Sequence, residues 1–194
     1  HRPRKRFGQN FLHDPVVIDK IIQAIRPLPS DSLVEIGPGQ GAITYPLLRA
    51  AGRLTVVELD RDLVEPLKEN AAGLGELIVH NADALSFNFC DLNGKERLRV
   101  IGNLPYNLST PLLFHLLDQH SCIRDMHFML QKEVVDRMAA SPGNGQYGRL
   151  SVMLQYRCRV TPLFTIGPGA FKPPPKVASA FVRLEPWREP PVQL

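Results

Sequence analysis

Asn103, Leu104, Pro105 and Tyr106 follow an apolar run in an order that suits one demanding piece of chemistry. An adenine amino nitrogen is a poor nucleophile, because its lone pair is delocalised into the ring. The Asn103 side-chain oxygen and the Leu104 carbonyl could accept its two N–H bonds. That would favour a tetrahedral nitrogen with the lone pair aimed at a methyl donor. Pro105 stiffens the turn and biases Leu104 towards an extended conformation. Tyr106 offers a ring on which the base can stack. A base in structured nucleic acid must leave its stack to reach such a pocket. The plainer role for the same residues is a strand-to-helix loop, where Asn and Pro are common.

A second cluster could hold a ligand. Glu35-Ile36-Gly37-Pro38-Gly39-Gln40-Gly41 joins a short apolar run to an amphipathic one. Its glycines permit a tight turn and close approach of a ligand to the backbone. Gly37, Gly39 and Ala42 also satisfy the dinucleotide fingerprint. Glu58 ends the next apolar run, where a ribose-binding acid belongs in either class. These two elements alone fit a methyl-donor site and a nicotinamide dinucleotide site equally, and a structural glycine turn is a third reading. Asp83, in Asn81-Ala82-Asp83-Ala84, could accept from an adenine amine, or could simply make a turn.

The elements that must position these residues alternate. Asp14 can cap a helix with Pro15 at its first position, and Val16, Val17, Ile18, Ile21, Ile22 and Ile25 give it an apolar face until Pro27 and Pro29. Strands are expected at 33–36, 54–59, 77–80, 98–101 and 125–130. Helices are expected from Ala42 to Ala51, from about Arg61 to Ala71, behind Ser109-Thr110-Pro111, and from Lys132 to Ala140. Residues 149–156 fit helix or strand, and two late strands are expected at 157–164 and 178–184. Repeated strand–helix units predict an α/β fold with a mostly parallel sheet and helices on both faces. Ligands then bind beyond the carboxyl ends of the strands, where the motifs fall.

The composition excludes several classes. At 194 residues the chain suits one core, and 44% hydrophobic content is ordinary. No apolar run approaches the ~20 residues that cross a bilayer. Cys90, Cys122 and Cys158 are far apart, odd in number and in no C-x-x-C, which argues against disulfides and structural zinc and for a reducing cytoplasm. The histidines show no ligand spacing, so no metal is expected; His80, His115 and His127 read as packed neutral side chains. Net charge is +4, with Arg2, Arg4, Lys5 and Arg6 crowding the start. Such an arm meets phosphates or is merely solvated.

Taken in order, Gln9-Asn10-Phe11-Leu12, the Glu35–Gly41 loop, Glu58, Asn81–Ala84, Asn103–Tyr106 and Phe171-Lys172-Pro173-Pro174-Pro175-Lys176-Val177-Ala178-Ser179 resemble the ribosomal RNA adenine N6-dimethyltransferase family. The resemblance runs from about residue 4 to residue 185. It is nearest to the bacterial small-subunit branch linked to kasugamycin sensitivity.

The resemblance implies a Rossmann-like class I methyltransferase fold with a seven-stranded sheet, and S-adenosylmethionine as donor with S-adenosylhomocysteine as product. Carried over by position, Asn10, Leu12, Gly37, Glu58, Asp83 and Asn103 would line the cofactor site. Glu58 would take the ribose hydroxyls and Asp83 the adenine amine. Asn103, Leu104, Pro105 and Tyr106 would form the catalytic turn, with Tyr106 and Phe171 as aromatic walls around the target base. Arg4, Lys5, Arg6, Lys172 and Lys176 would contact RNA phosphates. The implied substrate is a pair of adjacent adenosines in a hairpin loop near the 3′ end of 16S rRNA, in a small-subunit particle in the cytoplasm, met by a monomer. Residues 1–185 would be the catalytic domain, and 186–194 a linker to a helical C-terminal domain outside this chain. A large-subunit rRNA dimethylase and a non-catalytic assembly factor are the alternatives.

Overall fold

The computed structural model describes residues 10–92 and 94–189. The basic arm at Arg4, Lys5 and Arg6 lies outside them.

The first helix begins where its sequence directs. The Asp14 carboxylate accepts from the backbone of Val16 (2.9 Å) and Val17 (3.4 Å), and Pro15 opens α1 (Pro15–Ile25). Ile21 and Ile25 are fully buried, and Arg26, at φ +52°, ends the helix in the left-handed region. Five parallel strands follow: β2 (Ser32–Ile36), β3 (Arg53–Glu58), β4 (Glu76–Asn81), β5 (Leu98–Asn103) and β6 (Ile123–Gln131). Two late strands, β7 (Cys158–Ile166) and β9 (Ser179–Pro186), complete the sheet antiparallel, in the order β4-β3-β2-β5-β6-β9-β7. The chain turns back on itself between β2 and β5, the crevice where open α/β sheets bind ligands.

Helices cover both faces. On one lie α1, α2 (Thr44–Ala51) and α3 (Val64–Ala71), through Ile21, Leu47 and Leu67. On the other lie α4 (Ser109–Asp118), α5 (Lys132–Ala139) and α6 (Arg149–Arg157), through Leu113, Val135 and Leu154. Residues 149–156 are thus helical: Leu150 and Leu154, four apart, turn to the sheet. A two-stranded element that the sequence did not announce pairs β1 (Phe11–Leu12) antiparallel with β8 (Phe171–Lys172).

A buried polar knot ties α1 to the sheet at the end remote from that crevice. Arg99, at the start of β5, is 5% exposed. Its Nε donates to both oxygens of Asp125 (3.0 and 3.2 Å), its Nη1 to Asp31 (2.8 Å) and its Nη2 to the Ile25 carbonyl (2.7 Å). Arg183 donates to His127 Nε2 (3.0 Å) and to the Ala24 carbonyl (3.0 Å). Burial pushes the His127 imidazole down to about 4, so it sits neutral in the core as expected. His115 and His80 are half-buried, the former bonded to the Phe87 carbonyl (2.7 Å), the latter packed against the Phe87 ring.

The cysteine expectation needs correcting. Cys90 and Cys122 form a disulfide, while Cys158 is buried and free. The two halves lie in short 3-10 turns that sequence separates and Gln119 brings together: its Oε1 accepts from the Cys90 backbone (3.2 Å) and its Nε2 donates to Phe87 O (3.3 Å). An odd count and wide spacing did not preclude a pair made by tertiary structure. Cysteine usage therefore gives no support to a reducing compartment.

Candidate cofactor and base-binding site

The segments that follow β2, β3, β4 and β5 surround a cavity of about 880 Å³. Gly37, Gly39 and Gly41 have φ of +64°, +59° and +91°, which only glycine adopts without strain. A Cβ on Gly39 would stand 3.0 Å from the Phe11 ring, and one on Gly41 would collide with the Tyr45 ring. The loop therefore lies bare beneath a side chain delivered by β1.

Glu58 is 5% exposed at the end of β3. Its Oε1 accepts from Gly39 N (3.3 Å) and its Oε2 from Asp60 N (3.0 Å), which hold the carboxylate in one rotamer at the cavity wall. Burial raises its pKa, and those two backbone donors oppose the shift. Each oxygen retains a lone pair for a vicinal diol. Asn81 fixes the strand end by donating to the Glu58 carbonyl (2.8 Å). Asp83 makes the turn, its Oδ1 accepting from Leu85 N (3.0 Å), and it lines the cavity.

Asn103 ends β5, and its Nδ2 donates to the Asn10 carbonyl (3.1 Å). With the amide nitrogen so committed, Oδ1 is left as an acceptor at the cavity. Leu104 N donates to Met129 O (3.1 Å), and no described residue donates to the Leu104 carbonyl. Leu108 N and Ser109 N both donate to Pro105 O (3.1 Å each), and Ser109 Oγ to Tyr106 O (3.1 Å), so the turn is rigid. Tyr106 is 70% exposed; a ring that size left bare beside two free acceptors suits stacking by a planar ligand.

The structure brings Asn10, Leu12, Gly37, Glu58, Asp83, Asn103, Leu104, Pro105, Tyr106, Phe171 and Lys172 to this one cavity. Phe171 is 3% exposed and paired with Leu12, so most of its ring belongs to the core. Lys176 is exposed and outside the lining. Sequence reading assigned no role to Phe11 or Glu35. The second had a visible signal, an acid inside an otherwise apolar strand; the first had none beyond its neighbours.

A cavity at the strand-order reversal, over a bare glycine loop and beside a buried acid at the next strand end, is the layout of a class I methyltransferase. The lining would suit S-adenosylmethionine, because its acids and carbonyls offer acceptors for a diol, an adenine amine and a cationic centre. The family model for ribosomal RNA adenine dimethylase matches residues 1–194. The chain belongs to that family, and it is an S-adenosylmethionine-dependent rRNA adenine dimethyltransferase. The dehydrogenase reading of the glycine loop is thereby closed.

Ribosomal RNA small subunit methyltransferase A of Pseudomonas syringae pv. tomato is 63% identical over 188 residues, 96% of this chain and 70% of that protein. The protein of that name from Marinobacter nauticus is 61% identical over 189 residues, covering 97% and 68%. Among solved structures, a dimethyladenosine transferase from Plasmodium falciparum superposes with a TM-score of 0.82 at 33% identity, covering 91% of this chain and 63% of that one. The 23S rRNA methyltransferase ErmE gives 0.80 at 29%, covering 95% and 73%.

Removing the Glu58 carboxylate should be costly for the cofactor. Each hydrogen bond lost to this charged acceptor weakens binding by about 1.5–3 kcal/mol. Calorimetry on Glu58→Ala should register that loss; an unchanged dissociation constant would take the ribose away from Glu58.

Proposed function

We propose that the chain transfers methyl groups from S-adenosylmethionine to N6 of two adjacent adenosines in a hairpin loop near the 3′ end of 16S rRNA, two to each, within a small-subunit ribosomal particle. The observation that carries the chemistry is the commitment of Asn103 Nδ2 to Asn10, which leaves Oδ1 and the Leu104 carbonyl as neighbouring acceptors beside an exposed Tyr106. The small-subunit assignment draws support from relatives of that name at about 60% identity.

S-adenosylmethionine, when bound, supplies an electrophilic methyl group on a sulfonium centre. The chain's own residues do the rest. Asn103 and Leu104 take the two N–H bonds of the amine and turn its lone pair towards that methyl. Tyr106 holds the extruded base by stacking, and its exposure leaves room for an amine that already carries one methyl. No strong base is required, because the attacked amine becomes acidic and releases its proton to water. Lys172 at the cavity, Lys176 on the surface and the Arg4, Lys5 and Arg6 arm supply cations for RNA phosphates.

Methyl transfer to isolated small-subunit particles and, in parallel, to large-subunit rRNA, with the modified bases mapped, tests the assignment. Label confined to large-subunit rRNA would overturn it. In the same assay Tyr106→Ala should weaken RNA capture by about 1–3 kcal/mol, the usual worth of base stacking. Tyr106→Phe, which keeps the ring, should stay near wild type.

A further inference from the structure

Glu35 is the one acid of the apolar β2 run and is 3% exposed. Its Oε1 accepts from Thr44 Oγ1 (2.5 Å), and its Oε2 takes no hydrogen bond from the described residues. It forms part of the cavity wall, together with Glu58, Asp60 and Asp83; Lys172 is the only cation among the described lining residues. The groups that face it offer no positive charge. Glu58 stands on the neighbouring strand, Tyr45 and Thr44 on α2, and β5 presents Ile101 opposite Glu35. The chemistry read so far gives Glu35 no task, yet burying an acid here needs a compensating cause.

We propose that Glu35 distinguishes the methyl donor from its spent product by changing its own charge. It holds a proton while the cavity is empty or carries S-adenosylhomocysteine, and gives it up when the cavity carries a sulfonium. This rests on the methyl-donor reading of the site.

Burial, only partly offset by Thr44 and reinforced by the charge of Glu58, pushes the Glu35 carboxyl up to about 8. It is therefore mainly neutral at pH 7 without a ligand. A fixed positive charge in the same poorly screened cavity favours its anion, and the released proton goes to solvent. Methyl transfer removes that positive charge, since the product sulfur is a neutral thioether. Glu35 then regains a proton from solvent, and the attraction that held the donor is absent for the product.

The test counts protons. Calorimetry of the wild-type protein in buffers of different ionisation enthalpy, at pH 7, should show nearly one proton released on binding S-adenosylmethionine and clearly fewer on binding S-adenosylhomocysteine. The sulfonium also acidifies the donor's own amino group, so the count is read against Glu35→Gln, which keeps the ligand's contribution and lacks that of Glu35. Linkage then requires the donor dissociation constant to fall by about tenfold per pH unit below pH 7 and to level off above about pH 8. In Glu35→Gln, which keeps an acceptor for Thr44, the donor's excess of nearly one proton should be lost, leaving only what the ligand's own amino group contributes, and the preference for the donor should shrink. Equal proton counts for the two ligands in the wild type would overturn the proposal even if the variant failed to fold. Failure of the wild type to bind S-adenosylmethionine would instead bring down the methyl-donor reading itself.

Discussion

Asn103→Ala should lower single-turnover methylation by at least about a hundredfold at saturating cofactor, the scale on which a misplaced reacting group costs rate. The variant removes Oδ1, one of two acceptors that set the amine geometry, and leaves Leu104 alone to orient it. It also removes the bond from Nδ2 to the Asn10 carbonyl (3.1 Å). That is one neutral hydrogen bond behind the cofactor wall, worth about 0.5–1.5 kcal/mol. Cofactor affinity should thus fall modestly while turnover collapses. Rapid-quench methylation, read beside calorimetry on the same protein, separates the two. A near-normal rate would mean that the turn is structural and that another group prepares the nucleophile.

Arg99→Ala should be the most damaging change away from the cavity. It strands Asp125 and Asp31, whose side chains are 11% and 4% exposed, and frees the Ile25 carbonyl. Breaking a buried ion pair from one side costs about 3–5 kcal/mol. At this chain length each kcal/mol shifts the midpoint by about 2–4 °C, so Tm should drop by about 6–20 °C. Arg124 is the internal control. It also reaches Asp31, at 3.4 Å, but its side chain is 52% exposed, and Arg124→Ala should cost under about 1 kcal/mol. Equal melting temperatures for the two variants would show that the knot carries no stability.

Most of what positions the site could be read in advance, because it rests on local signals. Asp14 and Pro15 start α1 as their types require, and every parallel strand was visible as an apolar run closed by a turn. The chemistry-bearing motifs fell at strand ends because the strand–helix alternation put them there. What escaped depends on partners distant in sequence. The pairing of Phe11 and Leu12 with Phe171 and Lys172 involves two residues a side, too few for any periodicity. Nothing near Cys90 points to Cys122, and an arginine beginning a buried strand does not reveal that Asp31 and Asp125 will meet it. Residues 149–156 were ambiguous for another reason. Val152, Met153 and Tyr156 leave apolar surface on the outer face of α6, which blurs the helical pattern. Residue types alone leave the Asn103–Tyr106 turn open between base-orienting chemistry and a plain loop, and only the bond from Asn103 to Asn10 says which end of the amide faces the cavity.

The β1–β8 pairing has a consequence for the order in which the molecule matures. It joins two short strands that lie near opposite ends of the chain, with Phe11 opposite Lys172 and Leu12 opposite Phe171. Contacts so distant in sequence form late, because the entropy of closing the intervening chain must first be offset by the rest of the sheet. During synthesis the glycine loop and Glu58 emerge early, yet Phe11 has no strand to hold it over Gly39 until Phe171 has left the ribosome. The five parallel strands are therefore all synthesised before the pairing that seats Phe11 over Gly39 can close, whereas β9, which completes the sheet, follows it.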